Sequence, residues 1–442
     1  MMKKAAFFLL TALFTFFSSG AQKKKPVTAK SPSGTFSTKA ILPGAYQLKE
    51  YLPLLKGKRV AIFANNTATI NGIHLVDTLQ KLGVNIVKIF GPEHGFRGTA
   101  NAGAHVANFT DEKTGIPIVS LYGTKRKPTE EDLTNVDVLL YDIQDVGVRF
   151  YTYISSLQEF MESAMEFNKP LIILDRPNPN GFYVDGPVLD TTFRSFVGMQ
   201  PIPVVYGMTI GEYANFLIGE GLLDKNIMAS WMMRMVHQAS DSSARNGNGL
   251  NMTVIKCRNY THKSKYILPE KPSPNLPDQG SIYWYPSICL FEGTALSEGR
   301  GTAKPFQIFG HPSLPKTLFA FTPVGNAGAS SPKLKDQLCY GWNLSGTNEQ
   351  ILAQVDNKFQ LKYLLDAYKL FPGKDSFFLT PKKASLKPTD YSFNRLAGNG
   401  ELMQQIIAGK SEKEIRVSWE PKLEAFKKKR KKYLMYADFD AP

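Results

Sequence analysis

The stretch VNIVKIFGPEHGFRG, residues 84–98, decides how the first half of the chain is read. Ile86, Val87, Ile89 and Phe90 make an apolar run of strand length. The run stops at Gly91 and Pro92, and Glu93, His94 and Arg97 follow at once. An acid, an imidazole and a guanidinium at the end of a core strand read either as an incidental surface turn or as the rim of a site. The density of Gly, Pro, Glu, His and Arg favours the rim.

The same texture recurs from residue 58 to 224. KRVAIFAN (58–65), IPIVSLYG (116–123), VDVLLYDIQD (136–145) and KPLIILDRPNP (169–179) are further apolar strands, and PIPVVYG (201–207) is a short sixth. Between them lie amphipathic helices: GIHLVDTLQKLG (72–83), RFYTYISSLQEFMESAMEFN (149–168) and TIGEYANFLIGEGLL (209–223). Apolar strands alternating with helices predict an α/β fold, a Rossmann-like parallel sheet covered on both faces. From about residue 226 the texture shifts. Residues 268–312 are rich in Pro, Gly and aromatics and read mostly as loop, while 348–371 and 420–436 read as helices. The division is a catalytic domain at 41–225 and a smaller α+β auxiliary domain at 226–442, with the active-site cleft between them.

The N-terminus reads as a targeting segment. MMKK is basic, AAFFLLTALFTFF is apolar but short for a span, and SSGAQ offers small residues for cleavage after Ala21. Residues 22–40 are polar and turn-rich, a flexible leader. The expectation is a secreted or periplasmic protein without a membrane span. Removing Lys3 and Lys4 lowers the net charge from +15 to +13. The run KKKRKK (427–432) suggests nucleic acid in a cytosolic protein, but anionic envelope polymers in an exported one, and a solvated helix face is the plainer reading. Cys257, Cys289 and Cys339 show no metal spacing and read as core thiols.

In parallel sheets ligands bind beyond the carboxyl ends of the strands. Those ends carry Asn65 and Asn66, then Glu93 and His94, then Asp142, Gln144, Asp145 and Arg149, then Arg176 and Asn178. The first strand leads into FANNTATING rather than a Gly-rich phosphate loop, so nucleotide binding is disfavoured. Glu93 is the leading proton donor, because desolvation at a strand tip favours the protonated carboxyl. Asp142 or Asp145 supplies a second carboxylate or a helix cap. FEGTALSEGRGT (291–302) adds Glu292, Glu298 and Arg300 in a loop whose glycines let backbone approach a ligand. Arg149, Arg176 and Arg300 are candidates to grip an anion in two-pronged fashion. Tyr283, Trp284 and Tyr285, beside PSPNLP (272–277), are candidates to stack on a sugar. No HExxH and no GxSxG occur, so zinc-protease and serine-hydrolase chemistry lack their signatures.

GPEHGFRG, YDIQDVGVRFYTY, LDRPNPNG with VDGPVLD, PIPVVYGMTIGE, PSPNLP and LFEGTALSEGRGT run in one order. In that order the chain resembles the NamZ-type exo-β-N-acetylmuramidases over about residues 42–436. The resemblance implies a secreted glycoside hydrolase that takes N-acetylmuramic acid from the non-reducing end of peptidoglycan fragments. It needs no cofactor, and its favoured catalytic residue falls on Glu93. Two departures stand out: Phe182, where a second Gly is expected, and Tyr206, where His is common.

A glycosidase uses one acid on the leaving oxygen and one group on the opposite face of the ring. Asp142, Asp145, Glu292, Glu298 and the sugar's own acetamido oxygen are all open for the second role. Asn65, Asn66, His94, Arg97, Gln144, Arg149, Arg176, Asn178 and Arg300 are the candidate substrate contacts. The alternatives are a metal-dependent hydrolase using His94, Asp142 and Asp145, or a non-catalytic envelope-binding protein.

Overall fold

In the computed structural model, the apolar runs become strands β1 (Val60–Ala64), β4 (Ile86–Gly91), β6 (Pro117–Ser120), β7 (Val138–Asp142) and β8 (Leu171–Leu174). The structure describes residues 39–93, 95–97, 108–240, 252–383 and 386–441. Two short strands, β2 (Thr69–Ile70) and β3 (Ile73–His74), make a hairpin, and β5 (Phe109–Thr110) and β9 (Met252–Ile255) complete the main sheet. Its order is β5-β6-β4-β1-β7-β8-β9, parallel throughout except for β5.

Burial on both faces explains the continuous hydrophobicity of these strands. Along β1, Ala61 and Phe63 enter one core, with Leu139, Tyr141 and Phe160. Val60, Ile62 and Ala64 enter the other, with Leu75, Leu79, Leu140 and Leu174. That alternation is the period of two of a strand. Helix α1 (Leu48–Leu55) and α2 (Leu75–Lys81) cover the second face; α4 (Tyr153–Glu166), which follows a one-turn α3 (Glu130–Leu133), covers the first. β4 and β7 flank β1 on opposite sides, so the direction of winding reverses at β1. The crevice beyond the carboxyl ends at such a reversal is where open α/β sheets bind ligands.

Several expectations are corrected. The sheet takes its edge strand β9 from beyond residue 225, paired with β8 from Leu171↔Met252 to Leu174↔Ile255. The stretch that leads into β9 includes α5 (Ile210–Gly219) and α6 (Lys225–Ser240), so a long helical crossover separates it from the other strands. Residues 201–207 form no strand, only isolated bridges from Val205 to Val148 and Asp185. Residues 268–312 are mostly loop, as read, but they carry a helix that was not read: α7 (Gln279–Ile288) runs straight into a 3-10 turn, Cys289–Gly293. Strands β10 (Ile308–His311), β11 (Phe319–Phe321) and β12 (Cys339–Asn343) form a separate antiparallel sheet. The three cysteines are free and buried, as read. The basic run at 427–432 is largely neutralised: Lys427, Lys429, Arg430, Lys431 and Lys432 each meet a carboxylate, among Glu424, Glu220, Asp438 and Asp440. Among the described residues no helix is long and apolar enough to cross a membrane. The targeting segment and leader up to residue 38 lie outside the described residues.

Candidate active site

Glu93 stands two residues past the end of β4, in a turn closed by the Gly95 N–H donating to the Pro92 carbonyl at 2.9 Å. Gly95 has φ +73°, which glycine adopts without strain. Thr152 Oγ1 donates to Glu93 Oε2 at 3.1 Å. The phenol of Tyr122, just past β6, hydrogen-bonds the same carboxyl; burial first, and the Glu93 charge second, push that phenol above its usual range. Thr152 is the N-cap residue of α4, yet its hydroxyl caps nothing in the helix. A Thr in that place ordinarily satisfies the first free N–H groups. Here the hydroxyl is spent on Glu93, at the helix end whose dipole favours a carboxylate.

Glu93 and Thr152 open onto a small hollow of about 60 Å³. Phe150 and Tyr151 complete the sheet side; Ser273, Asn275, Leu276, Tyr285, Arg300 and Phe306 form the other. Tyr285 meets Phe306 edge-on at 4.9 Å and Phe150 at 5.3 Å, so an aromatic wall backs the hollow. The segment 271–276 is pinned to the sheet rim. Tyr151 Oη donates to the Pro272 carbonyl at 2.8 Å, and Asn66 Nδ2 to the Lys271 carbonyl at 2.8 Å. Asn275 Nδ2 in turn holds the Gly328 carbonyl at 2.7 Å.

Arg300 brings the one cation among the described lining residues. Its Nη2 donates to Glu292 Oε1 at 2.6 Å, and its Nε lies 3.3 Å from Glu298 Oε1. Lys333 Nζ sits 2.9 Å from Glu298 Oε2 and also donates to the Phe291 carbonyl at 2.7 Å and the Thr294 carbonyl at 3.1 Å. Burial opposes the Glu298 charge, but Lys333 and Arg300 more than offset it and hold that carboxyl below the usual range.

Two family models match this chain. The family model for the N-terminal part of the exo-β-N-acetylmuramidase NamZ matches residues 60–280, and that for its C-terminal part matches residues 283–436. This chain belongs to the NamZ family. The peptidoglycan β-N-acetylmuramidase NamZ of Bacillus subtilis is 37% identical over 98% of this chain and 100% of its own length. Two crystal structures of DUF1343 family proteins from Bacteroides fragilis are also similar. One is 44% identical with a TM-score of 0.76, the other 29% identical with a TM-score of 0.70; each match covers 90% of this chain and 99% of the other. The chain is thus a glycoside hydrolase of the exo-β-N-acetylmuramidase family, with an α/β fold.

In this NamZ-family fold the sequence candidates separate into two groups. Glu93 and Arg300 line the hollow, and Tyr285 joins them. Glu292 and Glu298 touch it only through Arg300. His94 lies outside the described residues. The others are occupied elsewhere. Asp142 is fully buried and takes both prongs of Arg176, at 2.5 and 2.7 Å. Burial opposes the Arg176 charge, but Asp142 more than restores it. Asp145 accepts from the Tyr206 hydroxyl and from the Gly147 N–H, and burial pushes its carboxyl up to about 7. Tyr206, the departure from the family's His, therefore serves Asp145. Two carboxylates already so held are poorly placed to join His94 as ligands of a divalent ion.

Arg149 is buried and donates to the carbonyls of Pro187, Ile202 and Leu396 at 2.7–2.8 Å; burial pulls its guanidinium down to about 9. Asn178 braces the Met208 carbonyl and the Asn180 N–H, and Gln144 the carbonyls of Asp145 and Pro177. Asn65 holds Thr67 and the Tyr153 hydroxyl. Arg97 turns away to Asp111 at 2.8 Å and Asp77 at 3.6 Å. Trp284 is buried with its Nε1 on the Leu344 carbonyl. These side chains shape the rim by tying its loops together. Thr152, Tyr122, Asn275, Phe306 and Lys333 went unread, and only Thr152 carried a signal, as a Thr immediately before a long helical pattern.

Proposed function

We propose that this enzyme releases N-acetylmuramic acid from the non-reducing end of peptidoglycan fragments, with Glu93 as the general acid. The observation that carries this is the lining of the hollow. Glu93 is its one carboxylate among the described residues, braced by Thr152 and Tyr122, and Arg300 is its one cation. Glu93 protonates the leaving oxygen as the glycosidic bond opens. The acetamido oxygen of the sugar takes the opposite face of the ring: it bonds the anomeric carbon as the glycosidic bond breaks, and water then opens that intermediate, passing its proton to the Glu93 carboxylate and releasing the free sugar. Arg300 meets the lactyl carboxylate that distinguishes muramic acid from glucosamine. The aromatic wall of Tyr285 and Phe306 gives the sugar an apolar face to rest on. The basic, apolar and small-residue start of the chain supports an exported enzyme, in the compartment of such a substrate.

The test is release of para-nitrophenol from its N-acetylmuramic acid glycoside, with chelator present. Release that persists in chelator and collapses in Glu93→Gln is expected. Release that depends on an added divalent ion, or no release from this or any muramyl disaccharide, overturns the reading.

A further inference from the structure

Two carboxylates hold Arg300, and they are held very differently. Glu298 is buried, with a side chain 3% exposed, and Lys333 anchors it to the loop carbonyls. It is scaffolding, and it fixes the Nε side of the guanidinium. Glu292 has a side chain 31% exposed, and Arg300 is the one partner recorded for its carboxylate among the described residues. It sits at the end of a 3-10 turn, Cys289–Gly293, and takes the Nη2 prong. The cluster is balanced, with Glu292 and Glu298 against Arg300 and Lys333.

We propose that Glu292 is a placeholder for the substrate carboxylate, displaced when an anionic sugar enters; this rests on the muramidase reading above. A guanidinium in a partly buried site is costly to leave unpaired. Glu292 removes that cost from the empty enzyme. An entering lactyl carboxylate replaces one charge-assisted hydrogen bond with another, and Glu292 moves to solvent, where its exposure makes release cheap. The charge balance around Arg300 is the same before and after. A sugar bearing only a hydroxyl at that position cannot make this exchange, because a neutral hydrogen bond is about half as strong as a charge-assisted one. Glu292 therefore acts as a selectivity filter: it stays on Arg300 unless the ligand carries its own carboxylate.

The experiment compares para-nitrophenyl glycosides of N-acetylmuramic acid and N-acetylglucosamine on wild type, Glu292→Gln and Arg300→Gln. Glu292→Gln keeps the shape but weakens the internal partner. KM for the muramyl glycoside is expected to fall about three- to tenfold. In Arg300→Gln the muramyl-to-glucosaminyl ratio of kcat/KM is expected to fall tenfold or more. Binding of free N-acetylmuramic acid and N-acetylglucosamine to Glu93→Gln and to Glu93→Gln/Glu292→Gln, by calorimetry, gives a readout independent of turnover. The second mutation is expected to tighten the acid sugar and not the neutral one. A muramyl KM that is unchanged or raised in a folded Glu292→Gln overturns the placeholder. So does equal tightening of both sugars. A wild type inert on muramyl substrates overturns the muramidase reading itself, which is a different result.

Discussion

Replacing Arg149 with Met separates a rim that grips substrate from a rim that holds itself together. Arg149 spans three chain regions, donating to Pro187, Ile202 and Leu396, and Gly398 leaves it room: a Cβ there would come within 2.6 Å of Nη2. Methionine fills a similar volume and donates nothing. The Ile202 carbonyl keeps the Leu189 N–H at 3.1 Å, so the Pro187 and Leu396 carbonyls are the two left unpaired. Each costs about 1–3 kcal/mol, about 2–6 kcal/mol together with no relaxation. Removing a buried charge that has no carboxylate partner of its own recovers part of this, and carbonyls reorient. The net expectation is a loss of about 2–4 kcal/mol, large for one substitution. With a urea slope of about 2–3 kcal/mol/M, the unfolding midpoint falls by roughly 1 M. The assay is urea unfolding followed by tryptophan fluorescence, with KM for a muramyl glycoside measured on the folded fraction. An unchanged midpoint together with a KM raised tenfold or more would refute the reasoning and return Arg149 to the substrate.

Thr152→Val keeps the shape of the N-cap residue and removes the hydroxyl that positions Glu93. A fall of about tenfold in kcat with little change in KM is expected, with stability nearly constant because Thr152 makes no cap bond. Asp145 gives a pH signature. Burial raises its folded carboxyl to about 7 from an ordinary 3.8, so the folded state holds more protons between those values. Its contribution to stability is full below about 4 and is lost as pH rises through about 7. Asp145→Asn is expected to flatten the fall in melting temperature between pH 4 and 7, and an equally steep fall in the variant would contradict this. Asp142→Ala leaves Arg176 buried and alone, and a loss of about 3–5 kcal/mol is expected in the same urea assay.

The sheet was legible because a strand buried on both faces is apolar along most of its length: β1 and β8 wholly, and β4, β6 and β7 but for Lys88, Ser120 and Asp142. The 250–260 run read as strand-like, but the place of β9 was not legible, since Met252, Thr253, Val254 and Ile255 after a long helical stretch do not announce their neighbour β8. Glu93 was legible because an acid beside Gly and Pro after such a strand has few structural uses. Arg149, Arg176 and Asn178 were misread for a general reason. Position along a strand follows from periodicity, but the direction a polar side chain takes past the strand's end does not. At this rim most of them turn inward to satisfy loop carbonyls or, for Arg176, a carboxylate on the neighbouring strand. The hollow's far side, from Ser273 to Phe306, was legible only as a list of residue types, because its closeness to Glu93 is made by long-range bonds such as Tyr151 to Pro272.

The most direct measurement of whether Glu93 delivers the proton is the dependence of rate on the leaving group. Glu93→Gln is compared with wild type on muramyl glycosides whose leaving groups range from a sugar hydroxyl to dinitrophenol. A general acid contributes about 10²–10⁴ where the leaving oxygen needs its proton, and little where it does not. The expected result is a defect of that size for the sugar, shrinking to less than about tenfold for dinitrophenol. A defect of the same size across the series, or none at all, would contradict the role given to Glu93.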